Sequence, residues 1–235
     1  MSDIRITDLA QPELSELQKN AIANAERVEV DLSVDAICNA AMQTTELTDF
    51  GDASSKVRLE EQLQAVREDD WLNNFGRMGV VGAKTGQAVS RLRVMDALKR
   101  HPKIYDIDIP RPLMIAGLPR SGTTHLLNMI AADTRFRSMP MWESRQPVPS
   151  PDEPVTRDKN DPRHVRCTQS YQGTDALLPL MKNMHDMHPD HVHEDIELLD
   201  IDFSSYVLEW MAHVPRWRDY YLAHDQTPHY AFLRT

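Results

Sequence analysis

The stretch from Leu113 to Ala132 constrains the fold more than any other part of the sequence. It opens with a short apolar run, residues 113–116, of the size and composition of a buried strand. The tight segment Gly117 to Thr124 follows, and after it apolar residues recur at helical spacing, at Leu126, Leu127, Met129 and Ile130. A strand, a loop and a helix in this order aim backbone N–H groups at one point, where the helix dipole favours negative charge. The pattern therefore predicts an anion-binding loop.

The residues inside this loop indicate which anion it binds. Gly117 and Gly122 have the separation found in phosphate-binding loops, but nucleoside triphosphatases continue with a lysine that contacts the β- and γ-phosphates. Here Thr123 and Thr124 follow instead, and the cation of the loop is Arg120. A guanidinium can hold two oxygens of a phosphate or sulfonate group at once. We therefore expect anion binding without a metal ion. A helix-entry turn that binds nothing is the alternative interpretation.

The hexapeptide Pro-Arg-Ser-Gly-Thr-Thr at residues 119–124 resembles the 5′-phosphosulfate loop of sulfotransferases that use 3′-phosphoadenosine 5′-phosphosulfate (PAPS). Its arginine is similar to that of the tyrosylprotein-type and bacterial branches, and differs from the lysine of the cytosolic enzymes. The resemblance covers residues 40–235 and implies PAPS as co-substrate, with no metal. It also implies a set of PAPS-binding residues, of which Arg120 is catalytic as well: Pro119, Arg120, Ser121, Gly122, Thr123 and Thr124.

The resemblance also suggests candidates for the catalytic base. Glu143, in Trp-Glu-Ser-Arg, stands where tyrosylprotein-type enzymes have a catalytic glutamate, although the interval from Arg120 is about two residues longer here. A solvated loop carboxylate is the alternative for Glu143. His193 is the second candidate, since an imidazole exchanges protons near neutral pH without special tuning. His188 and Glu194 are further candidates for the acceptor cleft, because bacterial relatives carry a His-Pro and an acidic pair at about this place.

Residues 185–195 hold four histidines and four acidic residues. A metal site would need two or three imidazoles that converge on one ion, and Pro189 interrupts the run. We therefore predict a solvated loop that leads to a helix N-terminus, with a metal site as the alternative.

Charge and composition exclude several classes of function. The net charge of −10 over 235 residues argues against a nucleic-acid or membrane-surface partner, since both need a basic field. No apolar run is long enough for a membrane span, and the N-terminus does not resemble a signal peptide. Cys38 and Cys167 lack a disulfide framework, so we expect reduced thiols and a cytoplasmic protein. Nothing in the sequence indicates the oligomeric state.

Residues 1–105 are predicted to form a helical layer that packs on the rest of the chain, or a lid over a substrate cleft. Ser33 is the expected N-cap of one helix, and residues 57–71 and 89–98 are predicted to form two others. The four glycines between Gly76 and Gly86 predict a mobile connection.

Residues 106–235 are predicted to form the N-terminal part of a P-loop sulfotransferase domain. The expected class is a helix-rich α/β P-loop nucleotide-binding fold with a parallel sheet. We expect a proline-rich surface connection at 138–161, one helix over 196–214, and further helices at 215–222 and near the C-terminus. Residues 113–118 are the single convincing strand, so we expect this fold to be C-terminally incomplete. The resemblance places the arginine and serine that hold the 3′-phosphate beyond this sequence.

The function expected from these features is transfer of a sulfuryl group from PAPS to a hydroxyl or amine. The acceptor is expected to be a small molecule or a polymer. A non-catalytic nucleotide-binding protein of the same fold is the alternative from another class. A P-loop kinase is a weaker alternative, because the lysine after Gly122 is missing.

Overall fold

The computed structural model describes residues 6–8, 10–109, 111–185 and 187–235, which are mostly helical. Residues 1–5 and Leu9 of the expected helical layer, and Pro110 and Asp186 of the expected sulfotransferase part, lie outside the described residues. The helices are α1 (Glu16–Ala25), α2 (Val34–Thr45), α3 (Ser54–Arg67), α4 (Asn74–Arg100), α5 (Thr123–Ala131), α6 (Met141–Arg145), α7 (Pro162–Leu177), α8 (Met181–Met184), α9 (Ile196–Ile201), α10 (Leu208–Met211), α11 (Pro215–Ala223) and α12 (Thr227–Arg234), with a 3₁₀ helix at Pro102–Asp106. Within the described ranges, no helix is long and apolar enough to cross a membrane.

Side-chain caps fix the start of several helices. The Ser33 hydroxyl accepts a hydrogen bond of 3.1 Å from the Ala36 N–H, which confirms the predicted cap of α2. Asn73 caps α4 in the same way through the Gly76 N–H, at 3.0 Å. Each cap satisfies a backbone donor that the first turn of a helix leaves without a partner.

The mobile connection predicted at residues 76–86 is wrong, because α4 runs through all four glycines. Gly79, Gly82 and Gly86 lie on the exposed side of the helix, where an added Cβ would meet nothing within 4 Å. A glycine costs a helix about 1 kcal/mol relative to alanine. The apolar side of α4, which includes Ala88 and Leu92, is buried in the core. That burial outweighs the weak helix propensity of the glycines.

The single helix predicted over residues 196–214 is also wrong, because the structure divides it into α9 and α10. Phe203 adopts a left-handed backbone (φ +52°) and is almost fully buried. Its carbonyl accepts a hydrogen bond of 2.9 Å from the Gln62 side chain of α3. Tertiary packing of Phe203 therefore interrupts an apolar pattern that is otherwise helical. The helices predicted after it form, as α11 and α12.

Two clusters of buried side chains make up the core. The larger cluster joins residues 32–92 to residues 203–217 and includes Cys38 and Trp217. The smaller cluster consists of Met141, Trp142, Cys167 and Tyr171. The two cysteines therefore lie in different clusters, and both are free thiols, as expected.

The buried strand predicted at residues 113–118 does not form. This segment has no regular secondary structure and is exposed, with Leu113 at 57%, Met114 at 69% and Leu118 at 81% of full exposure. A strand becomes buried when neighbouring strands pair with its backbone and elements pack on its faces. Nowhere in the described part of the chain does a strand ladder form; the one β-bridge there joins Pro140 to Val192. The expected parallel sheet is therefore not among the described elements.

A buried carboxylate, Asp202, holds several helices together. Its Oδ1 accepts hydrogen bonds from Arg58 of α3, at 2.8 Å, and from Arg91 of α4. Its Oδ2 lies 2.6 Å from Nδ1 of His229 in α12. All four side chains are at most 5% exposed. The network joins three helices to the turn that follows α9.

We expect Asp202→Asn to destabilise the fold by about 3–5 kcal/mol, because it leaves two buried guanidinium groups without a counter-charge. Urea unfolding measures the change. Asp219→Asn is the matched control, since Asp219 pairs with Arg218 on the exposed surface and its loss is expected to change nothing measurable. Equal stability of the Asp202→Asn variant and the wild type would contradict this role.

Candidate functional site

The loop before α5 has a backbone that only particular residues can follow. Gly122 has φ +94°, and a Cβ on Gly117 would lie 2.8 Å from the Thr123 side chain. The backbone N–H and the hydroxyl of Ser121 both donate to the Leu118 carbonyl, at 3.2 and 2.6 Å, and close a tight turn. Arg120 is also left-handed, with φ +67°, a conformation that costs a non-glycine residue about 1–3 kcal/mol.

The loop leaves several N–H groups unused. Thr123, Thr124 and His125 form the first turn of α5, and across the described ranges their backbone N–H groups have no acceptor. Gly122, at the N-cap, offers no side-chain acceptor to them. Free donors at the start of a helix, together with its dipole, make a site for an anion.

Arg120 adds a positive charge to the same loop. Its guanidinium is exposed, and its Nη1 donates to the Met184 carbonyl at 3.3 Å. No carboxylate within the described part of the sequence pairs with it. The cationic group is therefore available to an anion at the loop, and its hydrogen bond to Met184 points toward α8.

The loop expected at residues 138–161 contains a buried helix, which corrects the prediction of a surface connection. In α6, Met141, Trp142 and Ser144 are buried. Backbone hydrogen bonds join this segment to the histidine-rich one: Met141 N–H to the His191 carbonyl, at 2.9 Å, and His193 N–H to the Met139 carbonyl, at 3.0 Å. We call residues 139–145, together with the residues 189–193 that pair with them, the α6 junction. Proline spacing predicts a loop here, but the junction supplies partners that the sequence pattern does not reveal.

The α6 junction holds both candidate bases. Glu143 lies in α6, with 17% of its side chain exposed, and its Oε2 is 2.7 Å from Nη2 of the exposed Arg137. It is therefore a paired carboxylate rather than the freely solvated one considered as the alternative. His193 lies on the other segment of the junction, with its side chain 7% exposed.

The histidines pack against one another, which corrects the prediction of a solvated loop. The His191 ring lies 5.3 Å from His185, 6.0 Å from His188 and 5.6 Å from His193, between ring centroids. No group of three metal-ligating side chains is placed to hold an ion in the parts of the chain that the structure describes. His185 follows directly after the carbonyl that Arg120 contacts, so the histidines connect the loop to the α6 junction.

Two residues that sequence reasoning missed lie next to His193. Glu197 Oε1 is 3.5 Å from His193 Nε2 and 3.6 Å from Arg145 Nη2. The Arg145 guanidinium stacks over the Tyr171 ring, at 5.1 Å. The signal in the sequence is the spacing of four residues between His193 and Glu197, which brings side chains together on a helix. Here the two side chains meet although His193 precedes the first residue of α9. Glu194, by contrast, forms no ion pair with a described residue.

Burial governs the ionisation of this cluster. Burial raises the pKa of Glu197, but its contacts to His193 and Arg145 outweigh that effect and hold the pKa below its usual value. Burial raises the pKa of Tyr171 to about 12 and that of Cys167 to about 11. Near neutral pH, Glu197 is therefore ionised while the phenol and the thiol are neutral.

Comparisons with known proteins agree on one family. The model of the "Sulfotransferase family" matches residues 112–234. The crystal structure of sulfotransferase STF1 from Mycobacterium tuberculosis H37Rv aligns with a TM-score of 0.75 at 28% identity, over 88% of this chain and 57% of its own. That of STF9 from Mycobacterium avium has a TM-score of 0.75 at 22% identity, over 88% of this chain and 53% of its own. The chain thus spans little more than half the length of either. A search of curated proteins gave no match.

We expect Gly122→Ala to disturb the loop, because φ +94° is strained for any residue with a Cβ. The Leu126 amide, which donates to the Gly122 carbonyl at 3.1 Å, should exchange its hydrogen roughly 5–30 times faster. Gly173→Ala in α7 is the control, since its Cβ meets nothing and its φ is ordinary. Unchanged exchange at Leu126 in the Gly122→Ala variant would contradict the expectation.

Proposed function

Because the chain belongs to the sulfotransferase family, we propose that it transfers a sulfuryl group from PAPS to a hydroxyl or amine of a small-molecule or polymer acceptor. The observation that carries the proposal is the loop at residues 119–124. This short stretch contains a guanidinium that pairs with no described carboxylate and the unused N–H groups of a helix start. The similarity in fold to two solved sulfotransferases supports it.

In this proposal the loop binds the 5′-phosphosulfate of PAPS. Arg120 holds two of its oxygens, and the N–H groups that end the loop and begin α5 bind the others. The hydroxyls of Thr123 and Thr124 add donors, and Pro119 shapes the entry to the loop. Arg120 and the helix start supply the positive charge, so the proposed chemistry calls for no metal ion.

The transfer itself needs few groups. The acceptor attacks sulfur in line with the departing phosphate, and the charge that develops on the oxygens is stabilised by Arg120 and the N–H groups, as in phosphoryl transfer. The acceptor's proton goes to a base at the α6 junction, either Glu143 or His193. His188 and Glu194, which lie in or beside the junction, are proposed to border the acceptor cleft.

The exposed segment at residues 113–118, which the sequence predicts to be a strand, supports the proposal of a larger fold. Leu113, Met114 and Leu118 present an apolar surface to solvent, and such a surface marks a place where another element packs. We propose that residues 113–118 join a parallel P-loop sheet whose other strands, with the 3′-phosphate site, lie in sequence beyond these 235 residues. Residues 1–105 then form the helical layer and residues 106–235 the first part of the sulfotransferase domain. The free thiols are compatible with a cytoplasmic location.

A nucleotide-binding protein without transfer activity is the second candidate. The observation that favours it is the burial of His193, whose side chain is only 7% exposed in the free protein. A P-loop kinase is weaker, because Thr123 occupies the position of the lysine that such enzymes need.

We expect Arg120→Ala to lower sulfuryl transfer by about 100-fold or more, because it removes a preorganised charge from the transition state. Release of 3′-phosphoadenosine 5′-phosphate (PAP) from PAPS measures the rate, with phenol, sugar and amine acceptors. Circular dichroism should show an intact fold, since the side chain is exposed. Arg135→Ala is the control, because that arginine is exposed and pairs with Asp133 after α5. Near-normal transfer by Arg120→Ala would contradict the assignment.

A further inference from the structure

One nitrogen of His193 is buried without any hydrogen-bond partner in the part of the chain that the structure describes. This nitrogen is Nδ1, whereas Nε2, on the opposite edge of the ring, faces Glu197 at 3.5 Å. A buried polar atom that makes no hydrogen bond is costly, so its retention calls for an explanation. A proton acceptor provides one, because its lone pair has to stay free until the acceptor substrate is bound.

Glu197 is also held by Arg145, through the same oxygen that faces His193. Its Oε1 faces Arg145 at 3.6 Å, and the Arg145 carbonyl accepts a hydrogen bond of 2.9 Å from the Ser90 hydroxyl of α4. The Tyr171 ring lies against the same guanidinium. Burial alone would favour a neutral Glu197, but the contacts with His193 and Arg145 keep the pKa of Glu197 below its usual value and the group ionised. An ionised carboxylate therefore lies next to Nε2 of the imidazole.

We propose that Glu197 is a positioning residue that keeps the His193 proton on Nε2, so that Nδ1 is the atom that deprotonates the acceptor. The proposal rests on the proposed sulfotransferase function and selects His193 over Glu143 as the base. Glu143 is less suited, since its Oε2 is already engaged by Arg137 at 2.7 Å. The arrangement follows the general rule that a base is oriented by a third group on its far side.

The acceptor O–H or N–H gives its proton to His193 Nδ1. The lone pair left on the acceptor oxygen or nitrogen then forms a bond to sulfur. The bond between sulfur and the 5′-phosphate oxygen of PAPS breaks, and its electron pair leaves with PAP. The imidazolium that results is stabilised by Glu197 and later loses its proton to solvent. Catalytic hydrogen bonds often form only in the substrate complex, so the buried state of Nδ1 in the free protein is compatible with this step.

A double-mutant cycle tests whether Glu197 acts through His193. The protein is the 235-residue chain or any longer product of its gene, with PAPS and the acceptor panel. We expect His193→Gln to lower kcat by about 100-fold or more, as the loss of a general base does. Glu197→Gln should lower kcat roughly tenfold or more, with little change in PAP affinity. In the His193→Gln background, Glu197→Gln should have no further effect, because the residues act as one unit.

Control variants separate this role from a structural one. Glu209→Gln changes an exposed glutamate on α10 and should leave kcat unchanged. Glu197→Asp keeps the charge and should retain more activity than Glu197→Gln; it replaces that variant in the cycle if Glu197→Gln does not fold. Equal losses from the Glu197 substitution in both backgrounds would overturn the proposal, as would a large loss in Glu143→Gln with normal kcat in His193→Gln. A wild type that neither binds PAP nor turns over PAPS would overturn the proposed function itself.

Discussion

The buried Asp202 carboxylate ties three helices, α3, α4 and α12, to the end of α9. It neutralises two arginines from α3 and α4 and binds a histidine of α12, directly after α9 ends. A charged group inside a core is tolerated only when an opposite charge and hydrogen bonds compensate it. This network therefore fixes the position of the C-terminal end of α9. Because Glu197 lies in α9, the same network helps to position the carboxylate that contacts Nε2 of His193. The core and the site are therefore linked through one short helix.

The site combines a firmly held part with an exposed part. At the α6 junction, backbone hydrogen bonds and buried side chains hold Glu143 and His193. The loop before α5 is exposed, and no residue of α5 is buried. Its geometry comes from local features instead: two glycines and the turn closed by Ser121. The contact from Arg120 to the Met184 carbonyl connects the two parts.

Local signals in the sequence predicted local structure well. The Ser33 cap and the helix after the loop are confirmed, because short-range hydrogen bonds and spacing determine them. The sequence-based predictions are wrong where contacts between residues far apart in the sequence determine the structure. Packing stabilises α4 despite its glycines and ends α9 before Phe203. It also buries α6 next to the histidine-rich segment. In the site, the loop residues were predictable from their motif, whereas the contact of Glu197 with Arg145 was not, since it depends on how α6 and α9 meet.

Calorimetric titration with PAP, beside ATP with and without magnesium, tests the central claim most directly. The titration is carried out on this chain and on any longer product of its gene. We expect PAP to bind without a metal ion and more tightly than ATP, because Arg120 and the start of α5 supply the positive charge. Binding of ATP that depends on magnesium, or no binding of either nucleotide, would contradict the proposed function.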